Sequence, residues 1–294
     1  MYELIRAGER SFYVDCPAKI GVYVRANGSA VLVDSGFDKE VGRKLLKMLE
    51  ANGWTLAAIV ATHSHADHIG GSALLQERTG CSIYASSVEA AFLRHPILEP
   101  SYLYGGYPPA ELRHKFFLAQ PSEALDASTP GFPEELELIP LPGHTFGMVG
   151  VRTPDDVFYL ADCVSGPVTL EKYGLPFLYD VGAYLATLDL VESMRASLFV
   201  PAHAPVMEDI APLVRCSRER VLNIMEKLLT ICETPLCFDV ILQRVFYEYR
   251  LKMDFGQHAL IGSTVRSFLS YLKETGNMEV LFEDNVMLWR TLKR

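Results

Sequence analysis

The sequence predicts an α/β fold in which strands and helices alternate. Two observations carry this expectation. Short apolar runs bounded by Gly, Asn, Asp and Pro alternate with stretches whose apolar residues recur at helical spacing. Four of the apolar runs feed a loop bearing His or Asp, an arrangement in which a rigid strand presents side chains to a ligand. A third observation divides the chain. Beyond about residue 210, long helical patterns replace the alternation, so the expected units are 1–210 and 211–294.

Residues 12–14, 20–24 and 30–33 read as strands, with Asn27-Gly28 as a hairpin turn between the last two. The third strand ends at Asp34. An Asp before a glycine turn can form or cap the turn, or it can hold a metal-ligating histidine in place, and spacing favours neither role. Residues 39–50 read as an amphipathic helix with Val41, Leu45, Leu46, Met48 and Leu49 on its apolar stripe. Asp38 is its N-cap and Asn52-Gly53 its stop. Residues 56–61 read as a buried strand, 70–79 as a helix and 82–84 as a strand, after which Ser86 and Ser87 cap a helix through Leu93.

The densest chemistry lies between the strand at 56–61 and the helix at 70–79. His63, His65, Asp67 and His68 fall within six consecutive positions of a chain with only 8 histidines. Neutral imidazole and carboxylate are natural ligands for zinc or iron. Side chains two apart in an extended turn share a side, so His63 and His65 can reach one metal together. Asp67 and His68 are adjacent where the chain turns into the helix, and they aim at a second point nearby. Gly70-Gly71 leaves no side-chain bulk where the loop must pack closely.

Residues 95–133 break the pattern. Seven prolines there exclude a long regular element, and Tyr102, Tyr104, Tyr107, Phe116 and Phe117 make the stretch aromatic. Such an insertion reads as a lid or as a loop packed over the core. His95 and His114 lack ligand-like neighbours and read as surface or lid residues. Strands resume at 136–139, 148–152, 157–160 and 198–200, and a helix runs from Asp180 to about residue 196. The loops of this part present His144, Asp162 and His203. With the first cluster there are seven candidate ligands: His63, His65, Asp67, His68, His144, Asp162 and His203.

The last part reads as helices at 215–232, 239–247 and 258–275, with Pro235 interrupting after the first. Residues 278–282 and 286–289 then form a two-stranded wing around Glu283-Asp284-Asn285. The whole chain is 49% hydrophobic and 21% charged, an ordinary globular composition. Its net charge of −9 argues against a general nucleic-acid binder, which needs a basic surface. No run approaches the ~18 uninterrupted apolar residues of a membrane span, and residues 1–6 lack the apolar core of a secretory signal. The six cysteines are scattered without a Cys-x-x-Cys pair and read as free thiols of a cytoplasmic protein.

With the seven ligands in view, residues 1–210 resemble the metallo-β-lactamase-fold superfamily. The His-x-His-x-Asp-His loop carries the resemblance, together with His144, Asp162 and His203 in that order. It implies an αββα four-layer sandwich with a dinuclear site at one sheet edge. It implies that His63, His65 and His144 hold one metal, that Asp67, His68 and His203 hold the other, and that Asp162 bridges them. Asp34 then matches the strand-end Asp that supports the histidine loop. The last ligand is framed by Ala202 and Ala204 where the family often has glycine. His65 stands where flavodiiron-type members carry Glu, and Asp162 where secreted β-lactamases carry Cys. The implied cofactor is two divalent ions, Zn2+ foremost, with iron or manganese also suited to His/Asp ligands. Two cations about 3.5–4 Å apart lower the pKa of a water between them, so hydroxide is available near neutral pH, and Asp67 can orient it.

The C-terminal part resembles the small winged-helix domain appended to some hydrolases of this superfamily. Residues 215–294 carry 12 Lys/Arg against 10 Asp/Glu, so the basic stripe that phosphate binding requires is lacking. Packing, homodimerisation or a share in the substrate pocket is the expected role. The implied function is metal-dependent hydrolysis of a small ester-like substrate: a thioester, as in glyoxalase II relatives, or a lactone. Tyr102, Tyr104, Tyr107, Tyr179 and Tyr184 are candidate substrate contacts, against a default of core or lid packing. The alternatives are a phosphodiesterase or ribonuclease of the same superfamily, and a metal-binding regulatory module without turnover.

Overall fold

The computed structural model describes residues 2–292. Seven strands form the first sheet in chain order: β1 (Glu3–Arg6), β2 (Ser11–Asp15), β3 (Ile20–Val24), β4 (Ser29–Val33), β5 (Thr55–Val60), β6 (Ser82–Ala85) and β7 (Ala124–Asp126). β1 to β4 pair antiparallel, as short turns permit. β4 to β7 pair parallel, which demands a crossover at each step. The crossovers are α1 (Lys39–Ala51), then α2 (Ala66–Ile69) with α3 (Ser72–Thr79), then α4 (Ser87–Arg94) with α5 (Leu98–Tyr104). Asp38 caps α1 by accepting from the Glu40 and Val41 amides.

The second sheet has four strands, β8 (Glu137–Pro140), β9 (Val149–Arg152), β10 (Val157–Ala161) and β11 (Leu198–Pro201), in the order β11-β10-β9-β8. Its single parallel step, β10 to β11, crosses over through α6 (Pro167–Tyr173) and α7 (Val181–Ser193). The chain closes with α8 (Ala211–Ile231), β12 (Leu236–Cys237), α9 (Phe238–Glu248), α10 (Phe255–Glu274), β13 (Met278–Glu283) and β14 (Val286–Thr291). The last three strands make a small antiparallel sheet, β12-β14-β13. Asp284 and Asn285, both at positive φ, turn the β13–β14 hairpin, residues that tolerate this conformation well.

The strand period explains the layers. In β4, Val31 and Val33 face the second sheet, where Val151, Val157, Tyr159 and Val200 meet them. Ala30 and Leu32 face the other way, against Val41, Leu45 and Leu75 of α1 and α3. A strand buried on both faces reads as a continuous apolar run, as 30–33 does. Phe158, Leu160 and Phe199 on the far face of the second sheet pack on Val181, Leu188 and Val191 of α7. The four-layer αββα sandwich is therefore what forms. The same apolar cluster continues without a break into Val221, Ile241, Val245, Val265, Phe268 and Trp289. The C-terminal helices thus share a core with the outer face of the second sheet.

Several elements escape the sequence periodicity. β1, β7 and β12 are two to four residues long, too short to display alternation. α5 forms inside the proline-rich insertion because Pro100 occupies its first turn, where no backbone N–H is needed. The helix read at 70–79 is α3, from Ser72, and the separate short α2 precedes it from Ala66, so Asp67 and His68 sit on a helical turn. A Cβ on Gly70 would strike the Phe37 carbonyl and one on Gly71 the Ser35 carbonyl, so this junction needs glycine at both positions. Among the described residues, no helix is long and apolar enough to cross a membrane.

Candidate metal centre

Strand ends deliver the seven residues to one place. His63 and His65 follow β5, His144 follows β8, Asp162 follows β10 and His203 follows β11. Two strand ends at the centre use unusual backbone. Asp34, after β4, has φ 68°, and Ala161, just before Asp162, has φ 49° at a register shift in β10. Left-handed residues other than glycine concentrate where a side chain must be aimed.

The ligand atoms fall into two sets. His63 Nε2 and His144 Nε2 each lie 3.1 Å from His65 Nδ1, and Asp162 Oδ2 is 3.3 Å from His144 Nε2. Opposite them, His203 Nε2 lies 3.2 Å from Asp67 Oδ2. Asp162 Oδ1 is 3.3 Å from His68 Nε2 and 3.5 Å from His203 Nε2. The two oxygens of Asp162 thus face different sets. Ligand atoms about 2.0–2.1 Å from a tetrahedral zinc stand roughly 3.3 Å from one another, close to these spacings, although His63 Nε2 to Asp162 Oδ2 at 4.0 Å and His68 Nε2 to Asp67 Oδ2 at 3.9 Å are wider.

Hydrogen bonds on the far side of each ring select the nitrogen that faces inward. His144 Nδ1–H donates to the Phe177 carbonyl at 2.9 Å, and His203 Nδ1–H to the Pro17 carbonyl at 2.7 Å. His68 Nδ1–H donates to Asp34 Oδ2 at 2.8 Å. Thr62 Oγ1–H also donates to Asp34 Oδ2, so its oxygen is left to accept from His63 Nδ1–H at 3.1 Å. Carbonyl and carboxylate oxygens only accept, so in the neutral form of each ring it is Nε2 that turns a lone pair towards the centre. Asp34 thereby orients two ligands, and it also receives the Thr62 amide on Oδ1. Holding a histidine in place is the role the structure gives it.

The donor set fits divalent metal. His68 Nε2 and Asp162 Oδ1 are buried without a hydrogen-bond partner and point at the same space. Orphaned buried polar atoms are costly unless a ligand meets them. His63, His65, His144 and Asp162 form one group able to hold an ion, and Asp67, His68 and His203 form a second. Their charge states differ. Burial, reinforced by the neighbouring imidazoles, holds His63 well below the ordinary histidine pKa and brings His65 to about 3. Burial also opposes charge on His68 and His203. There, the facing carboxylates outweigh it and raise both, with Asp162 foremost.

Two buried acids in this region escaped the sequence reading. Glu89 of α4 accepts from the Ser64 amide, Thr145 Oγ1 and the Gly147 amide, tying the His63–His68 loop to the His144 loop. A signal was present: Glu89 shares a helix face with Phe92 and Leu93, where a charge is out of place. Glu99 of α5 is buried with Oε1 3.4 Å from His65 Nε2. Of the five candidate tyrosines, Tyr184 lines the cavity beside the centre and is fully buried. Tyr102 and Tyr179 pack with Phe146, whereas Tyr104 and Tyr107 are exposed against Phe255 and Arg113. His114 lines the cavity and His95 ends α4.

Comparison with known proteins now decides the family. The model of the metallo-beta-lactamase superfamily matches residues 19–203, which contain all seven ligands. The chain belongs to the metallo-beta-lactamase superfamily. A β-lactamase domain protein from Burkholderia ambifaria superposes with a TM-score of 0.76 at 16% identity, covering 99% of this chain and 94% of that one. The likeness of fold to that protein thus runs over the C-terminal region as well as the sandwich. A hydroxyacylglutathione hydrolase from Bradyrhizobium sp. is 47% identical over 58 residues, covering 20% of this chain and 21% of that protein. A hydroxyacylglutathione hydrolase from Methylobacillus flagellatus is 29% identical over 143 residues, covering 47% of this chain and 46% of that protein. The matched segments thus span less than half the length of these curated relatives.

Proposed function

We propose that this superfamily member is a dinuclear metal-dependent hydrolase of a small ester-like substrate, with a thioester first and a lactone second. The observation that carries the reading is Asp162, whose two oxygens face two complete ligand sets. The likeness to hydroxyacylglutathione hydrolases supports a thioester. Five imidazoles among the seven ligands favour Zn2+ over harder ions. When bound, such ions supply a Lewis acid and a water acidic enough to attack near neutral pH.

The chain's own residues do the rest. Asp162 and Asp67 remain ionised: although burial opposes it, His203 and His68 hold both carboxyls below the usual carboxylate range. Asp67, partly exposed and beside His203, is placed to orient a nucleophilic water at the cavity side. The residues after 210, which we read as a winged-helix-like unit, contribute Gln257, Leu260, Ile261 and Thr264 to the cavity wall. That placement favours a pocket-shaping role over nucleic-acid binding. Six free cysteines favour a reducing compartment such as the cytoplasm.

The test is turnover of an S-acyl glutathione beside a simple phosphodiester by the metal-loaded protein, with Asp67→Ala as the blank. Thioester cleavage that vanishes in the blank is the expected result. Phosphodiester cleavage alone would replace this reading with the nuclease one. Two bound metals with neither activity would leave a binding module or a lactonase, which a lactone assay separates.

A further inference from the structure

The cavity beside the centre encloses about 1370 Å3, more than the few hundred to ~1,000 Å3 of most small-molecule sites. Its wall is apolar where it leaves the ligands. The Phe177 ring sits 5.2 Å from the His65 ring and 5.7 Å from the His144 ring. Phe177 packs into a cluster with Leu103 and Phe117 of the insertion and with Ala259 and Leu260 of α10. Leu170 and Leu175 add to the lining from α6 and the loop after it. A lane of hydrocarbon and aromatic surface thus starts at the metal ligands and runs between the insertion and α10.

Charge along the wall points the same way. Lys19 and Lys172 are the only lysines or arginines among the described lining residues, and both are engaged. Lys19 Nζ donates to the Ala204 carbonyl at 2.8 Å. Lys172 Nζ donates to the Tyr173 hydroxyl at 3.0 Å and lies over that ring. Glu99, Glu111 and Asp254 also line the cavity. A dicarboxylate or phosphate group in the lane would meet Glu99, Glu111 and Asp254, whereas an alkyl chain would lose only water.

We infer that the substrate is an ester or thioester with a long apolar acyl chain, which lies along the lane between Phe177, Phe117 and Leu260. This rests on the hydrolase reading above and names its substrate class. In the reaction, one water is consumed. Its OH adds to the acyl carbon, the C–O or C–S bond breaks with its electron pair leaving on oxygen or sulfur, and the remaining proton goes to that leaving group. The products are a fatty acid and an alcohol or thiol.

The experiment is a chain-length series of p-nitrophenyl esters from acetyl to decanoyl, alongside calorimetric binding of decanoate and butyrate. It uses the metal-loaded wild type and Leu260→Trp, with metal content and circular dichroism confirming that the variant is folded. Leu260→Ala serves as a second variant should the tryptophan prevent folding. The expected result is a rise in kcat/KM of roughly threefold per methylene. Decanoate, six methylenes longer, should bind ~700-fold tighter than butyrate by the same methylene increment, and Leu260→Trp should erase both preferences. A flat series in a protein that cleaves the acetyl ester overturns the inference and leaves the hydrolase reading standing. If no p-nitrophenyl ester is cleaved, the hydrolase reading rests on the thioester and lactone assays above, and binding alone decides the lane. A decanoate preference lost in the variant then supports the apolar-chain lane, and equal binding of the two acids overturns it.

Discussion

The metal centre and the cavity wall beside it are built by opposite means. In the centre every group is directional. Asp34 receives Thr62 and His68, Glu89 receives three donors from two loops, and His63, His68, His144 and His203 are each keyed by an acceptor behind the ring. Few of these groups could be exchanged without leaving a buried polar atom unpaired. The wall is Phe117, Phe177 and Leu260 backed by buried Leu103, Leu112 and Ala259, which need only volume and apolarity. One fold can thus hold its chemistry rigid while the shape of its pocket stays free to vary.

The largest test of this contrast is Asp162→Ala. Both ligand sets lose an oxygen, so metal bound per chain should fall at both sites, and turnover should drop by roughly 10^3-fold or more. Elemental analysis that still finds both metals would deny Asp162 its bridging place.

Asp34→Asn comes next. It touches no metal, but it replaces one of two acceptor oxygens with a donor facing Thr62 and His68. Metal affinity should weaken about 10- to 100-fold, read by chelator competition. An unchanged affinity would mean that the histidines keep their orientation without it.

Acid should then separate the two halves of the centre. His68 and His203 have raised pKa values, so in the metal-free chain they keep their protons to higher pH than a free imidazole, and an incoming metal must displace them. His63 and His65 are lowered, so they are already neutral. As pH falls below 7, the Asp67–His68–His203 set should lose its metal first. Calorimetry in buffers of different ionisation heat should show proton release on filling that set. Loss of both metals in one step would remove the asymmetry.

The smallest expected effect on the centre comes from the wall. Leu112→Ala, at a fully buried position among the insertion and α10 contacts, should cost about 2–4 kcal/mol of stability. Metal content should not change. A thermal melt measured with metal analysis on the same sample checks both, and a loss of metal would show that wall and centre are not independent.

Much of the centre was legible because its signals are local. His63, His65, Asp67 and His68 are near neighbours in the chain, and His144, Asp162 and His203 each follow an apolar run that ends in a loop. The insertion was legible only as an interruption. Its prolines argued against regular structure, yet α5 accommodates Pro100 in a first turn. Glu89 reads as one more helix glutamate until its partners, Ser64 and Thr145, are seen folded against it.

The sequence by itself determined the layered α/β pattern and singled out the seven candidate ligands. Strand period and the bunching of histidines are properties of neighbouring residues, and they survive in one dimension. Only the tertiary structure decided which nitrogen of each histidine faces inward, because that depends on acceptors such as the Phe177 and Pro17 carbonyls far along the chain. It also decided what lies beside the centre. The lane joins Leu103 and Phe117 to Leu260, and apolar residues carry no mark of which distant surface they will cover.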